Sequence, residues 1–259
     1  MALIKMNFVS QKLKRSVDIN VILPIDKYIH EEKTISDKPF RTMYLLHGIY
    51  GDCNDWINFT SIRQFAENKN IAVVMPSAEN RFYVDNEYTG EMYGEFIGEE
   101  LVELTRKTFN LSHERDDTII AGLSMGGYGA LVNGLRFRET FGHICGLSSA
   151  LIIDDILNGS KPILDVPDEK RYYEVLFGDL SKLKDSQKNY KKLIEDTNNL
   201  PSIYLCIGRN DFLIEQNRDF VELLKSKDIE FTYLEDRGSH SWDFWNRNIL
   251  RYINHLNKE

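Results

Sequence analysis

Between residues 118 and 131 the chain reads Thr-Ile-Ile-Ala-Gly-Leu-Ser-Met-Gly-Gly-Tyr-Gly-Ala-Leu, an order of residues that few backbones accommodate. Strand-forming residues lead into Gly122-Leu123-Ser124-Met125-Gly126. The small residues Gly127, Gly129 and Ala130 follow, so a helix can begin pressed against the strand it has just left. Such a strand, turn and helix hold Ser124 at the apex of a sharp turn with its hydroxyl exposed, as a nucleophile requires. A βα turn in which Ser124 only caps the helix gives the same local pattern, so the partners of the serine decide between the two.

Around this turn, short apolar runs alternate with amphipathic stretches. Residues 3–10 and 16–23 flank the basic turn 11–15 and predict an opening antiparallel hairpin. The runs 41–48, 71–76, 118–123, 144–150, 202–208 and 231–234 have the continuous apolar character of strands buried on both faces. Helical stretches fall near 58–69, 93–109, 215–226 and 241–256. In 93–109 the residues Phe96, Ile97, Leu101, Leu104 and Thr108 recur on one side, leaving Glu99, Glu100, Glu103, Arg106 and Lys107 to a solvated face. The alternation predicts an α/β fold, a mainly parallel central sheet with helices on both faces, in a single domain over 1–259. Residues 25–39 read as a surface loop. The charged interval 151–200, with helical pieces near 169–177 and 186–196, is long for a connection. It follows the C-terminal end of a strand, where open α/β sheets bind ligands, and is read as a small cap insertion.

Composition narrows the partners. The net charge is −8 and no basic run is long enough to track a phosphate backbone, which argues against nucleic acid. The first 25 residues lack a signal-peptide core, and no run of about 18 apolar residues occurs, so the expectation is a cytoplasmic protein without a membrane partner. The three cysteines, two of them in apolar runs, predict no structural disulfide. The sequence lacks both phosphate-cradling glycine patterns and any histidine pair at metal-ligand spacing; neither cofactor nor metal is expected. The oligomeric state is left open by the sequence, a homo-oligomer included.

A serine nucleophile needs a base, an acid that orients the base, and donors for the oxyanion. His240 lies in the loop between the last strand and the last helix, where the histidine of a Ser, Asp, His order falls. His47 is the rival base, but it ends a buried strand and reads as a hydrogen-bonded structural histidine. His30, His113, His143 and His255 stand isolated on loops or a solvent-facing helix. For the acid, Asp211 sits three residues past a strand; Asp236 and Asp243 are rivals by proximity to His240 in sequence. The backbone N–H groups of Met125 and Ile49 are the candidate oxyanion donors, Gly48 and Gly51 allowing the second loop to come close. Trp56, Tyr83 and Trp242 are candidate substrate-binding residues.

Taken together, His47-Gly48-Ile49-Tyr50-Gly51-Asp52 with Trp56, the block 122–131, Asp211 and Gly238-Ser239-His240-Ser241-Trp242 resemble the α/β-hydrolase esterases of the esterase D type. That group includes tributyrin esterases, acetyl and feruloyl esterases and S-formylglutathione hydrolases; the contexts of Trp56 and of 238–242 look more like the tributyrin-esterase branch. The resemblance, which runs from about residue 3 to 256, implies an α/β-hydrolase fold. It implies Ser124 as nucleophile, His240 as base, Asp211 as acid, and Ile49 and Met125 as oxyanion donors. The implied activity is hydrolysis of short-chain carboxylic esters through an acyl-serine intermediate. Two alternatives use the same residues: an S-formylglutathione hydrolase-type thioesterase, and an acyltransferase to a sugar or alcohol.

Overall fold

Strict alternation in the apolar runs sends successive side chains to opposite sides of one sheet. Met43, Leu45, Val73, Ile119, Ala121 and Cys145 pack on one side, and Tyr44, Leu46, Val74, Ile120 and Ile144 on the other. The computed structural model describes residues 1–26, 38–159 and 168–256. In chain order the strands are β1 (Ala2–Ser10), β2 (Arg15–Leu23), β3 (Arg41–Leu46), β4 (Ile71–Pro76), β5 (Asp85–Asn86), β6 (Glu91–Met92), β7 (Thr118–Leu123), β8 (His143–Leu147), β9 (Ser202–Gly208) and β10 (Thr232–Asp236). Eight of them form one sheet in the order β1-β2-β4-β3-β7-β8-β9-β10, while β5 and β6 make a separate short pair. Only the β1/β2 and β2/β4 pairings of the large sheet are antiparallel. From β4 to β10 every neighbour is parallel.

Both faces are covered by helices. Ile62–Lys69 and Trp242–His255 bury Ile62, Ala66, Trp245, Ile249 and Tyr252 against one side. Leu101–Thr108, Met125–Arg136 and Ile214–Ser226 bury Leu101, Leu131, Leu135 and Phe220 against the other. This is the doubly covered, mainly parallel α/β-hydrolase sheet with its opening hairpin.

The helical stretch 93–109 is one continuous coil that includes a π-helical turn, Phe96–Glu100. Two of its side chains depart from expectation. Thr108 is exposed, and Glu100 is not merely solvated: its carboxylate accepts bonds from the Ser10 hydroxyl and from the Gln11 and Lys12 N–H groups. Glu100 therefore closes the β1–β2 turn, a task set by an element about ninety residues away in sequence.

Between β8 and β9 the chain forms the short helices Ile153–Asn158, Glu169–Phe177, Leu180–Leu183 and Tyr190–Leu193. The charged sequence hides an aromatic underside. Tyr173, Phe177 and Tyr190 are buried: Tyr173 packs on Phe177 at 6.2 Å, and Phe177 and Tyr190 meet Phe82, Tyr128 and Phe220 edge-on or tilted at ring separations of 5.1–6.1 Å. The Tyr128 hydroxyl donates to the Lys188 carbonyl and the Tyr190 hydroxyl to the Leu151 carbonyl. Residues 160–167 of this interval, most of the loop 25–39, and His30 lie outside the described residues.

Cys53, Cys145 and Cys206 are buried free thiols; burial raises the thiol pKa of each. His143 is not on a loop: it opens β8, is buried, and its Nε2 meets the Asp116 carbonyl at 3.1 Å. Among the described residues, no helix is long and apolar enough to cross a membrane.

Candidate active site

At the C-terminal end of β7 the chain reverses into the helix Met125–Arg136 through Ser124, whose φ of 52° and ψ of −116° are unusual for a residue with a side chain. The turn is this tight because glycines flank it. A Cβ on Gly122 would lie 2.3 Å from the Gly126 carbonyl oxygen, and one on Gly126 would lie 2.5 Å from that of His47. Backbone atoms on both sides leave no room for any side chain, so the serine is held against the end of β3.

The other two groups arrive from adjacent strand ends. Asp211 lies just past β9, with no side-chain surface in contact with solvent, and its Oδ1 accepts the Leu213 N–H at 3.0 Å. His240 lies beyond β10. Its Nδ1 sits 3.1 Å from Oδ1 and 3.0 Å from Oδ2 of Asp211, and its Nε2 sits 3.0 Å from Ser124 Oγ. Ser124, Asp211 and His240 thus form one continuous hydrogen-bonded chain. A carboxylate at Nδ1 fixes the tautomer that leaves Nε2 able to accept a hydroxyl proton. Neither rival carboxylate takes the place of Asp211 beside His240. Asp236 pairs with Arg251 and Arg247 and accepts the Arg237 N–H, which lowers its pKa, and Asp243 is exposed on the closing helix.

Two strand ends frame the space above Ser124. A Cβ on Gly48 would lie 2.6 Å from Leu123 Cδ1 and 3.6 Å from Ser124 Cβ, so the loop after β3 passes directly beside the serine. Ile49, half-buried, follows in that loop, while Met125 begins the helix. His47 anchors the loop. Its Nε2 accepts the Ala78 N–H at 2.9 Å, so Nδ1 carries the proton and donates to the Gly48 carbonyl at 2.7 Å. Burial lowers its pKa, against the opposing pull of the Gly48 carbonyl and Asp52.

Two of the three candidate substrate contacts lie in the interior of the fold. Trp56 and Tyr83 are 1% and 0% exposed. The Trp56 indole donates to the Leu46 carbonyl and the Tyr83 hydroxyl to the His47 carbonyl, each at 3.0 Å. Both side chains therefore clamp the end of β3 from behind, because buried polar tips of aromatic residues require partners. Trp242 is half-buried and stacks on Phe59 at 5.0 Å, with edge contacts to Trp56 and Trp245.

Two aromatic residues that sequence reasoning passed over surround the imidazole. Trp245 is buried, meets the His240 ring edge-on at 4.9 Å and donates from Nε1 to Ser148 Oγ. Phe212 lies 4.6 Å from the same ring on the solvent side and is 63% exposed. Phe212 follows the acid and Trp245 lies in the first turn of the helix that begins just past the base; proximity to those two residues was the available signal.

Comparison with known proteins agrees with this architecture. Residues 10–256 match the Esterase family model. An acetyl esterase of Caldicellulosiruptor saccharolyticus is 41% identical over 263 residues, covering all of this chain and 99% of that protein. Two Staphylococcus aureus structures are each 28% identical and cover 98% of both chains. The substrate-bound fluorophosphonate-binding serine hydrolase FphF superposes with a TM-score of 0.85, and the S-formylglutathione hydrolase FrmB with 0.84. A family match across nearly the whole length, a full-length curated relative and a shared overall fold lead to one conclusion: this chain belongs to the Esterase family and is a serine carboxylic ester hydrolase of the α/β-hydrolase fold.

Proposed function

We propose that the chain hydrolyses short-chain carboxylic esters, acetyl esters foremost, with Ser124 as nucleophile, His240 as general base and acid, and Asp211 as the orienting carboxylate. The observation that carries this reading is the unbroken Asp211, His240, Ser124 hydrogen-bonded chain. In acylation, Nε2 takes the hydroxyl proton as Oγ bonds to the ester carbon. The resulting oxyanion is met by the N–H groups of Met125 and Ile49, which have no protein acceptor among the described residues. As the ester C–O bond breaks, Nε2 returns that proton to the leaving alcohol; water then repeats the cycle on the acyl-serine.

The acetyl preference draws on the full-length relative named as an acetyl esterase. It also draws on the half-buried Ile49, in the loop that passes beside Ser124; the Met125 side chain itself is packed into the core. A longer acyl chain gains about 0.8 kcal/mol per methylene only where apolar surface receives it. The cap contributes exposed charges outside, and its Phe177 and Tyr190 are already packed against Phe82, Tyr128 and Phe220. A panel of 4-nitrophenyl esters from acetyl to decanoyl tests the reading; kcat/KM should be highest at two to roughly four acyl carbons. A maximum at eight carbons or beyond contradicts it.

Thioester hydrolysis is the second reading, favoured by the likeness to the S. aureus S-formylglutathione hydrolase. It uses the same three residues and differs only in what recognises the thiol. S-formylglutathione turned over faster than acetyl esters at equal concentration would select it.

A further inference from the structure

We propose that Phe212 is the contact face for the leaving alcohol, selecting substrates whose alcohol presents a flat aromatic or apolar surface. The inference rests on the Ser124, His240, Asp211 reading above and concerns the half of the substrate that the acyl-chain argument leaves unspecified.

The direction of the chemistry fixes where the alcohol lies. Oγ attacks the ester carbon, its proton passes to His240 Nε2, and the same nitrogen delivers that proton to the alcohol oxygen as the C–O bond breaks. The leaving oxygen must then lie within hydrogen-bond reach of Nε2, on the histidine side of the ester carbon and away from the Met125 and Ile49 donors. His240 has two aromatic neighbours on its ring. Trp245 is buried behind it and tied to Ser148, so it backs the imidazole against the core. Phe212 is on the open side, its ring centroid 4.6 Å from that of His240 at an interplanar angle of 48°, and nearly two-thirds exposed.

The backbone holds Phe212 in that position. Asp211 donates its N–H to the Gly208 carbonyl and accepts the Leu213 N–H at its side chain, and Leu213 is buried. Phe212 is therefore presented outward between two anchored neighbours. An exposed aromatic ring on such a turn, beside the atom that protonates the leaving group, offers a planar apolar face to whatever is bonded to that oxygen. Aryl groups stack on it, and the C–H face of a cyclic alcohol can lie against it.

The test uses pairs of acetate esters whose leaving groups have matched acidity, one aryl and one small alkyl. The shared acetyl group makes the second half of the cycle identical. For Phe212→Ala, kcat/KM for the aryl acetate should fall about three- to tenfold while that for the alkyl acetate stays within about twofold. The single-turnover rate of acetyl-Ser124 hydrolysis should be unchanged, since the alcohol has already left, and Phe212→Tyr should restore the aryl rate. An equal fall for both esters, or slowed deacylation, would make Phe212 a prop for His240 and overturn the proposal. If Phe212→Ala unfolds, Phe212→Leu should give the same split between esters. Failure of the underlying reading is separately visible: the parent enzyme would form no acetyl adduct on Ser124 by peptide mass spectrometry.

Discussion

Replacing Asp211 by Asn changes one atom in a buried site, and the structure dictates how the amide must sit. Oδ1 of Asp211 already accepts the Leu213 N–H, so the asparagine keeps its carbonyl oxygen there and turns its NH2 into the position of Oδ2. That position is 3.0 Å from His240 Nδ1. The NH2 now faces Nδ1 as a donor, while the retained oxygen, 3.1 Å from Nδ1, is shared with the Leu213 N–H; the tautomer with its proton on Nε2, the nitrogen 3.0 Å from Ser124 Oγ, is no longer excluded. A protonated Nε2 cannot take the serine proton, and no carboxylate remains to stabilise the imidazolium. The expected loss in kcat is on the order of 10⁴, about 5.4 kcal/mol of transition-state stabilisation. Because both acylation and deacylation use Nε2, single-turnover measurements with an acetyl ester should show both steps slowed. Circular dichroism should show cooperative unfolding retained, since shape and volume are conserved. Asp236→Asn and Asp243→Asn are the controls: the first breaks pairs with Arg247 and Arg251, the second alters an exposed helix residue. An Asp211→Asn enzyme within tenfold of the parent, or an Asp243→Asn enzyme equally crippled, would refute the assignment.

Ser124→Ala and Ser124→Gly should both abolish ester hydrolysis yet differ in stability. Only glycine adopts a φ of 52° with a ψ of −116° without strain, so it should exceed alanine by about 1 kcal/mol in urea melts; equal midpoints would mean that the elbow stores no strain. The acid side of the stability profile should begin near pH 6.5, the ordinary histidine value, because burial holds the folded-state pKa of His47 below it. Above that pH the imidazole is neutral in both states and its contribution is complete. As pH falls from 6.5 towards the folded pKa, the unfolded chain takes up the proton first and stability is lost. Thermal melts from pH 8 to 5 should show this slope in the parent and a reduced one in His47→Gln; identical slopes would remove His47 as the cause.

Much of this protein was determined within short windows of its sequence. The elbow is legible because its constraint is local: Gly122 must lack a side chain owing to a carbonyl only four residues on, at Gly126. Strand and helix alternation follows from periodicity in adjacent residues, and the order of serine, aspartate and histidine follows from which loops succeed which strands. What the windows could not contain was decided by the sheet order, which sets distant segments side by side. Trp56 and Tyr83 carry the sequence character of pocket aromatics, yet carbonyls at Leu46 and His47 give their polar tips partners in the interior and draw them under β3. Glu100 carries the character of a solvated helix face, yet the β1–β2 turn brings it three donors. Phe212 and Trp245 acquire their relation to His240 only when β9, β10 and the closing helix meet at one edge of the sheet. Backbone conformation is governed largely by neighbours in sequence, whereas burial and hydrogen-bond partnership are properties of whatever the rest of the chain places alongside.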